Sequence, residues 1–304
     1  MGDQIDEMRV FSRVAATGSF SQAARELGIS QSSASRLVAE LEVRLGSKLL
    51  LRTTHQVVAT DAGSVYLEHA LSILDSLEAA AEAARGADSL RGVLHVATPS
   101  SFGTQVVVPI LVPLLILHPE LRVDLMPFDK AEDLVANGVD VAIRFGRLLD
   151  SDFGARQLAI MERLAVASPD YLARRGRPTI PTDLAGHDCL FGPGLSSRQS
   201  WVFDGSPALL GHLIERVRIG TADGVVACAA AGLGIAVATH GLCQQGLAAG
   251  RLERILESFP LQPVELHAVF PAGRRPSLKV RTFVDHLAAA ITARDRQVTE
   301  RSLV

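Results

Sequence analysis

Residues 8–63, MRVFSRVAATGSFSQAARELGISQSSASRLVAELEVRLGSKLLLRTTHQVVATDAG, carry the strongest structural signal in the chain. They read as a helix, a short helix, a tight turn, another helix and then a hairpin. That order is the layout of a winged helix-turn-helix, which lays one helix in the major groove of DNA. In the first helix Met8, Phe11, Val14 and Ala15 share a face, the spacing of a helix packed on a core, and Gly18 ends it. Ser19 and Gln22 predict a capping box for the short helix that follows. Gly28 supplies the turn, and Ser30 is the natural N-cap of a helix over Gln31–Leu45, closed by Gly46.

That last helix has two faces. Ala34, Leu37, Val38, Leu41 and Leu45 form an inward stripe, with Ser32, Arg36, Ala39 and Val43 opposite. Gln31, Ser33 and Ser35 flank the exposed side near its N-terminal end. Gln pairs bidentately with adenine, Arg with guanine, and Ser with either, so these first two turns suit reading base edges. A helix–Gly–helix pair alone is usually core packing. Here it is followed by two short strands, Lys48–Arg52 and Val57–Thr60, around Thr53-Thr54-His55-Gln56, a plausible wing.

Composition sets the outer limits. The 304 residues suffice for two or three domains, and the hydrophobic content of 48% with 21% charged residues is that of a globular chain. A net charge of −3 argues against coating nucleic acid along the whole surface, but leaves room for one local DNA-reading module. Cys189, Cys228 and Cys243 are widely spaced, without metal-ligand or CxxC spacing, and read as small core residues of a reducing compartment. The acidic start MGDQIDEM is no signal peptide. The apolar run Val106–Leu117 is expected to be too short for a bilayer and broken by Pro109 and Pro113. No membrane, metal or cofactor is expected, and the expected location is the bacterial cytoplasm.

The segment GSFSQAARELGISQSSASRLVAELEVRLGSKLLLRTTHQVVATDAG resembles the N-terminal domain of the LysR-type transcriptional regulators, through its SQSSASR block and its RTT…TDAG exit. The resemblance implies that Gln31, Ser32, Ser33, Ser35 and Arg36 are recognition-helix positions, with Arg52, Thr53 and His55 at the wing. Leu50 stands where the family often has Phe, and His55-Gln56 is a less basic wing tip than is usual. Thr60-Asp61 caps a further helix to about Arg85. Gly63, Leu67, Ala70, Leu74, Leu77, Ala81 and Ala84 alternate by 4 and 3, a coiled-coil seam. The family pairs this helix with a second copy, so Leu67, Leu74 and Leu77 are expected to dimerise, in a homodimer or homotetramer. A hinge at residues 86–92 follows.

From Val93 the pattern alternates strands and helices: strands over Val93–Thr98, Leu121–Pro127 and Val139–Phe145, a helix up to His118 and one over Ala131–Asn137. A second set begins near Arg163, with a strand over Arg216–Gly220, a helix over Ala222–Ala231 and a strand at Ile235–Ala238. Val264–Phe270 and a helix over Leu278–Ile291 return to the first unit. This is the rhythm of an open parallel sheet covered by helices. The expected class is multidomain, α and α/β: a winged helix-turn-helix over 1–60, a linker helix and hinge over 61–90, and a two-lobed α/β domain over 91–304. Lobe I takes about 91–162 and 267–304, and lobe II about 163–266. The last region resembles the family's effector domain, which is similar to periplasmic solute-binding proteins.

Two lobes joined by crossing chain leave a cleft, and small molecules bind such sheets at the carboxyl ends of strands. Ser100, Ser101 and Phe102 follow the first strand, where hydroxyls and backbone N–H groups can hold a carboxylate. Arg144 ends another strand and can offer a bidentate guanidinium to an acid, or pair with Asp140 or Asp152. Phe128 and Phe203 are possible walls, and Thr221 is the matching hydroxyl from the second lobe. Trp201-Val202-Phe203 is expected near the lobe crossing. His187, Cys189, Cys228, Cys243 and His240 can be imagined as Cys–His pairs, but no GxSxG, Walker loop or zinc spacing supports an enzyme. The expected partners are double-stranded DNA, a small organic or aromatic acid as effector, and RNA polymerase. The alternative is a DNA-binding regulator without a ligand, whose C-terminal lobes serve oligomerisation.

Overall fold

A computed structural model describes residues 4–52, 57–85, 90–127, 138–146, 154–204, 213–270 and 276–301. The N-terminal unit is built from α1 (Gln4–Thr17), α2 (Phe20–Leu27) and α3 (Gln31–Leu45), followed by β1 (Leu50–Arg52) paired antiparallel with β2 (Val57–Ala59). Ser19 and Ser30 cap α2 and α3, each accepting the backbone N–H three residues on. Gly28 and Gly46 close them in the left-handed region, at φ 68° and 66°, where a side chain would be strained. Only half of the expected capping box forms, because the Gln22 amide turns to Glu26 instead.

Apolar spacing explains the core of this unit: Val10, Phe11, Val14, Phe20, Ala23, Ala34, Val38 and Leu41 are buried together with Leu49 and Leu50. Leu45, expected inward, is 41% exposed, and the inward position one turn earlier is taken by a carboxylate, Glu42, 8% exposed. Glu42 accepts the N–H groups of Leu49 and Leu50 at 3.0 and 3.1 Å and the Lys48 ammonium at 2.5 Å. It thereby ties α3 to the strand that starts the wing. Burial opposes its charge, but Lys48 and the two backbone donors outweigh burial and hold the carboxyl below its ordinary value.

α4 (Asp61–Arg85) begins inside the same core. Thr60 caps it by accepting from Gly63 N–H, and a Cβ on Gly63 would sit 2.0 Å from the Leu49 carbonyl oxygen, so the helix is pressed against β1. Leu67 is 4% exposed and Ala70 fully buried, packed on their own chain. The expected seam is therefore corrected at its start: Leu67 serves the N-terminal core. Farther along, Leu74 is half-buried, while Ile73 and Leu77 are 49% and 38% exposed.

The rest of the chain forms two sheets. The first has the order β4-β3-β5-β12-β6, from β3 (Gly92–Thr98), β4 (Leu121–Pro127), β5 (Val141–Phe145), β6 (Gly154–Met161) and β12 (Val264–Phe270). β3 is parallel to β4 and β5, but β12 runs antiparallel between β5 and β6. The expected parallel sheet is thus mixed, because the chain comes back from the other lobe in the opposite sense. β6 had no sequence signal: an edge strand with the run GARQLAIM lacks the buried apolar pattern of its neighbours. Val264 already belongs to the first sheet, so the return crossing precedes the expected 267.

The second sheet has β7 (Arg163–Ala167) between β10 (Ala236–Thr239) and β11 (Glu253–Ile255), both antiparallel to it. β8 (Asp188–Phe191), parallel to β9 (Ile214–Arg218), joins it through a Cys189–Ile235 bridge. α7 (Pro169–Arg175), α8 (Ala222–Ala230) and α9 (His240–Ala248) pack around these strands, and α10 (Leu278–Arg301) lies on the first lobe. Pro109 and Pro113 do not break the helical run of the first lobe. It continues over Ser100–Leu117 as α5 (Ser100–Phe102), a π turn (Gly103–Val107) and α6 (Val108–Leu117), with Pro113 inside α6. This stretch has the length and apolarity of a membrane span, but Phe102, Val107, Ile110, Leu111 and Leu114 lie in the core of lobe I.

Removing the Glu42 charge tests the tie between α3 and the wing. Because its folded pKa is lowered, its contribution is full above the ordinary carboxylate range and disappears as pH falls through the lowered value. Glu42→Gln is expected to lose about 1–3 kcal/mol at pH 7, a deficit that shrinks as acid protonates the parent. Urea melts at pH 7 and at pH 3.5 read both.

Candidate nucleic-acid interface and ligand cavity

α3 presents its expected residues unevenly. Gln31, Ser32 and Arg36 are exposed, whereas Ser33 and Ser35 are half-buried. The Ser30 hydroxyl lies 2.9 Å from that of Ser32 and 2.8 Å from that of Ser33, so the serines at the helix start share one cap network. Arg36 donates to Glu40 at 3.0 Å, an exposed pair four residues apart. Such a pair contributes only a few tenths of a kcal/mol, so it holds the guanidinium weakly. Val43 continues the same face at 82% exposure, an apolar surface of the kind that meets a thymine methyl. Arg52 ends β1, and its side chain lies outside the described residues, as do Thr53 and His55.

A cavity of about 440 Å³ opens between the two sheets. The first lobe contributes Pro99 to Phe102, Gln105, Val106, Ile143 to Phe145 and Met161; the second contributes Pro193 to Ser196, Thr221, Ala222, Ala238, Thr239, Gly241 and Leu242. Its position follows from the topology: β3, β5 and β10 end here, and α5, α8 and α9 begin here. α8 and α9 bring their N-termini, the positive ends of their dipoles; in α8 the N–H groups of Asp223 and Gly224 are already taken by the hydroxyls of Ser101 and Thr221. Phe102 packs edge-on against Phe145, with ring centroids 5.3 Å apart. Arg144 is the one charged side chain among the described residues of the lining. Burial lowers its guanidinium from the ordinary value, the signature of a cation partly stripped of water.

Five of the seven expected cavity residues meet here: Ser100, Ser101, Phe102, Arg144 and Thr221. Thr221 also caps α8, accepting Gly224 N–H at 3.2 Å. Phe203 does not line the cavity. It is 3% exposed in the core of lobe II, because the bridge from Phe203 to Leu261 turns its ring inward with Trp201 and Phe191. Phe128 lies outside the described residues. Trp201, 1% exposed, stands beside the return crossing, where Gln262 N–H donates to the Val202 carbonyl.

Sequence reading missed Met161, Leu195, Ser196, Thr239 and Leu242. Thr239 repeats the pattern of Thr221, a hydroxyl ending a strand segment before a helix, and that repetition was visible. Also missed was Arg163, 8% exposed at the first crossing, which donates to the carbonyls of Gln262, Leu195 and Ser200. Cys189 and Cys243 do not suit nucleophilic chemistry, since burial pushes their thiols up to about 12. No cluster of metal-ligating side chains occurs among the described residues.

A capped reading helix with its strand pair, joined through α4 to two α/β lobes around a cavity, defines a DNA-binding regulator with a sensor domain. Residues 5–64 match the family model of the bacterial regulatory helix-turn-helix proteins of the LysR family, and residues 87–292 match the LysR substrate-binding domain. The chain belongs to the LysR family of transcriptional regulators. An HTH-type transcriptional regulator of Haemophilus influenzae is 32% identical over 280 residues, covering 91% of this chain and 97% of its own. The HTH-type transcriptional regulator CrgA of Neisseria meningitidis is 30% identical over 284 residues, covering 93% and 95%. The solved structure of CrgA superposes with a TM-score of 0.59 at 29% identity, over 95% of this chain and 98% of that one.

Arg36→Ala is expected to weaken binding to a specific site by about 1–3 kcal/mol, while leaving binding to scrambled DNA nearly unchanged. Titrations of both duplexes at one fixed salt concentration check this. Equal losses on the two would assign Arg36 to the phosphates.

Proposed function

We propose that the effector of this LysR-type regulator is a small organic anion, an aromatic or branched carboxylic acid, bound between the lobes. The observation that carries this reading is the lining: a single, partly desolvated cation, Arg144, among apolar walls formed by Val106, Ile143, Phe145, Met161, Leu195 and Leu242. A carboxylate engages Arg144 bidentately, with the hydroxyls of Ser100 or Thr239 and the N-terminus of α9 as further donors. The walls then select the body of the acid. A volume of about 440 Å³ lies within the range of small-molecule sites.

The protein works in the bacterial cytoplasm as a homo-oligomer on double-stranded DNA, without enzymatic activity. Two copies pair through the exposed side of α4, with Ile73 and Leu77 at the contact and Leu74 beside them. The bare apolar face of α6, where Val112, Ile116 and Leu117 are 55%, 75% and 70% exposed, extends the assembly. Anion binding shifts the balance between arrangements of the subunits, and so changes DNA bending and the contact with RNA polymerase. Two reading helices on one dimer require two related half-sites.

Calorimetry of the full chain with benzoate, and with neutral benzamide as control, tests the anion. Benzoate is expected to bind saturably and benzamide weakly. Arg144→Gln is expected to weaken benzoate at least about tenfold, the loss of one charge-assisted hydrogen-bond pair. Equal affinity of parent and Arg144→Gln, or no binding of benzoate and longer carboxylates, would sink the reading and favour lobes that only oligomerise. For the pairing, the double substitution Ile73→Glu, Leu77→Glu is expected to lower the mass measured by light scattering. An unchanged mass removes α4 from the interface.

A further inference from the structure

Ser101 lines the cavity and is 7% exposed, yet its hydroxyl is already engaged by the opposite lobe. It donates to Asp223 Oδ1 at 2.7 Å and accepts from the Asp223 backbone N–H at 3.2 Å. The two residues are 122 positions apart in sequence, one at the start of α5 and the other in the first turn of α8. This reciprocal pair bridges the lobes at Ser101, a residue of the cavity lining. The Asp223 carboxylate is held below its ordinary range, first by the Ser101 hydroxyl and then by that of Thr221. It therefore stays charged at neutral pH, seated on the N-terminal turn of α8.

We propose that Asp223 is a specificity-determining residue of the effector cavity: a tethered carboxylate that holds Ser101 and latches the lobes while the cavity is empty, and that the carboxylate of an incoming anion displaces. A hydroxyl has one proton to donate. Ser101 cannot give it both to Asp223 Oδ1 and to a ligand, so an anion that takes this proton breaks the bond to the Asp223 carboxylate, the half of the latch made by that side chain. The bond gained to the ligand replaces an equivalent bond lost, which leaves little net affinity at Ser101 and converts binding into movement of one lobe against the other. The charge of Asp223 also penalises anions that stop short of Arg144, because they meet a like charge without compensation. The latch rests on geometry alone; its displacement rests on the anion reading given above.

Hydrogen exchange of the full-length protein, read by mass spectrometry, tests the latch without any ligand. Asp223→Ala is expected to raise exchange several-fold not only at the start of α8 but also at residues 101–105 in the other lobe. Ser101→Ala is expected to do the reverse, loosening residues 222–226. If each substitution loosens only its own lobe, the pair is a local cap and the latch is overturned. Asp223→Asn, which keeps the shape and an acceptor oxygen, separates charge from contact and guards against misfolding of the alanine variant. It is expected to keep exchange near that of the parent, while binding benzoate about tenfold more tightly and benzamide unchanged. Benzoate binding equally to the parent, Asp223→Asn and Asp223→Ala overturns the displacement. Benzoate binding none of them removes the anion reading and the displacement together, and the exchange pattern alone then decides the latch.

Discussion

The Arg163 guanidinium is buried where the chain leaves the first sheet for the second, and its hydrogen bonds reach three separate segments. It donates to Gln262, on the return crossing, to Leu195, on the cavity wall, and to Ser200, in the turn beneath Trp201. Burial pulls its affinity for the proton down, yet an arginine stays charged in these surroundings. A desolvated cation is costly unless its donors are occupied. Three carbonyls take up donors of its two terminal nitrogens, while Nε is buried without a partner, and the guanidinium so links the return crossing, the cavity wall and the turn beneath Trp201. The sheets on either side are independent layers with their own cores, and the cavity is the space that remains where they meet.

Around that junction the binding chemistry is divided between the lobes. The first supplies the charge, Arg144, and much of the apolar wall. The second supplies the N-termini of α8 and α9, with hydroxyls at Thr221 and Thr239. In the proposed reading a ligand meets both halves at once, which would couple occupancy to the relative position of the lobes. Asp223 on Ser101 adds a direct hydrogen-bonded contact between the two lobes. The DNA-reading unit is built on a different economy: capped helices, a buried carboxylate at Glu42 and a glycine pressed on the Leu49 carbonyl hold α3 rigidly, so that Gln31, Ser32 and Arg36 project from a fixed frame.

Much of the frame was legible from local patterns. Ser30 before a polar turn, Gly28 and Gly46 after helical runs, and Thr60 before a further helix act within three or four residues, and each formed as read. Strand segments buried on both faces, such as Val141–Ile143, announce themselves by apolar runs. The failures were positions whose neighbours come from far along the chain. β6 is an edge strand with little to bury. Leu67 fits a seam by period, but the tight approach of Gly63 to β1 commits it to the core of its own chain. Leu45 fits the inward stripe, but the helix ends before anything packs on it, and Glu42 is needed for the wing.

The sequence by itself determined the class of the protein, its helix-turn-helix and the existence of a two-lobed sensor, because periodicity, capping and turn chemistry are local. It also indicated the polar part of the first-lobe half of the cavity, Ser100, Ser101 and Arg144, since hydroxyls and an arginine at strand ends are recognisable in isolation. Only the tertiary structure decided which partners those side chains keep. Ser101 meets Asp223, Phe203 turns into a core and Arg163 binds both crossings, because the two sheets are brought together by chain that crosses between them twice. Contacts between residues a hundred positions apart depend on that closure, and no local pattern encodes them.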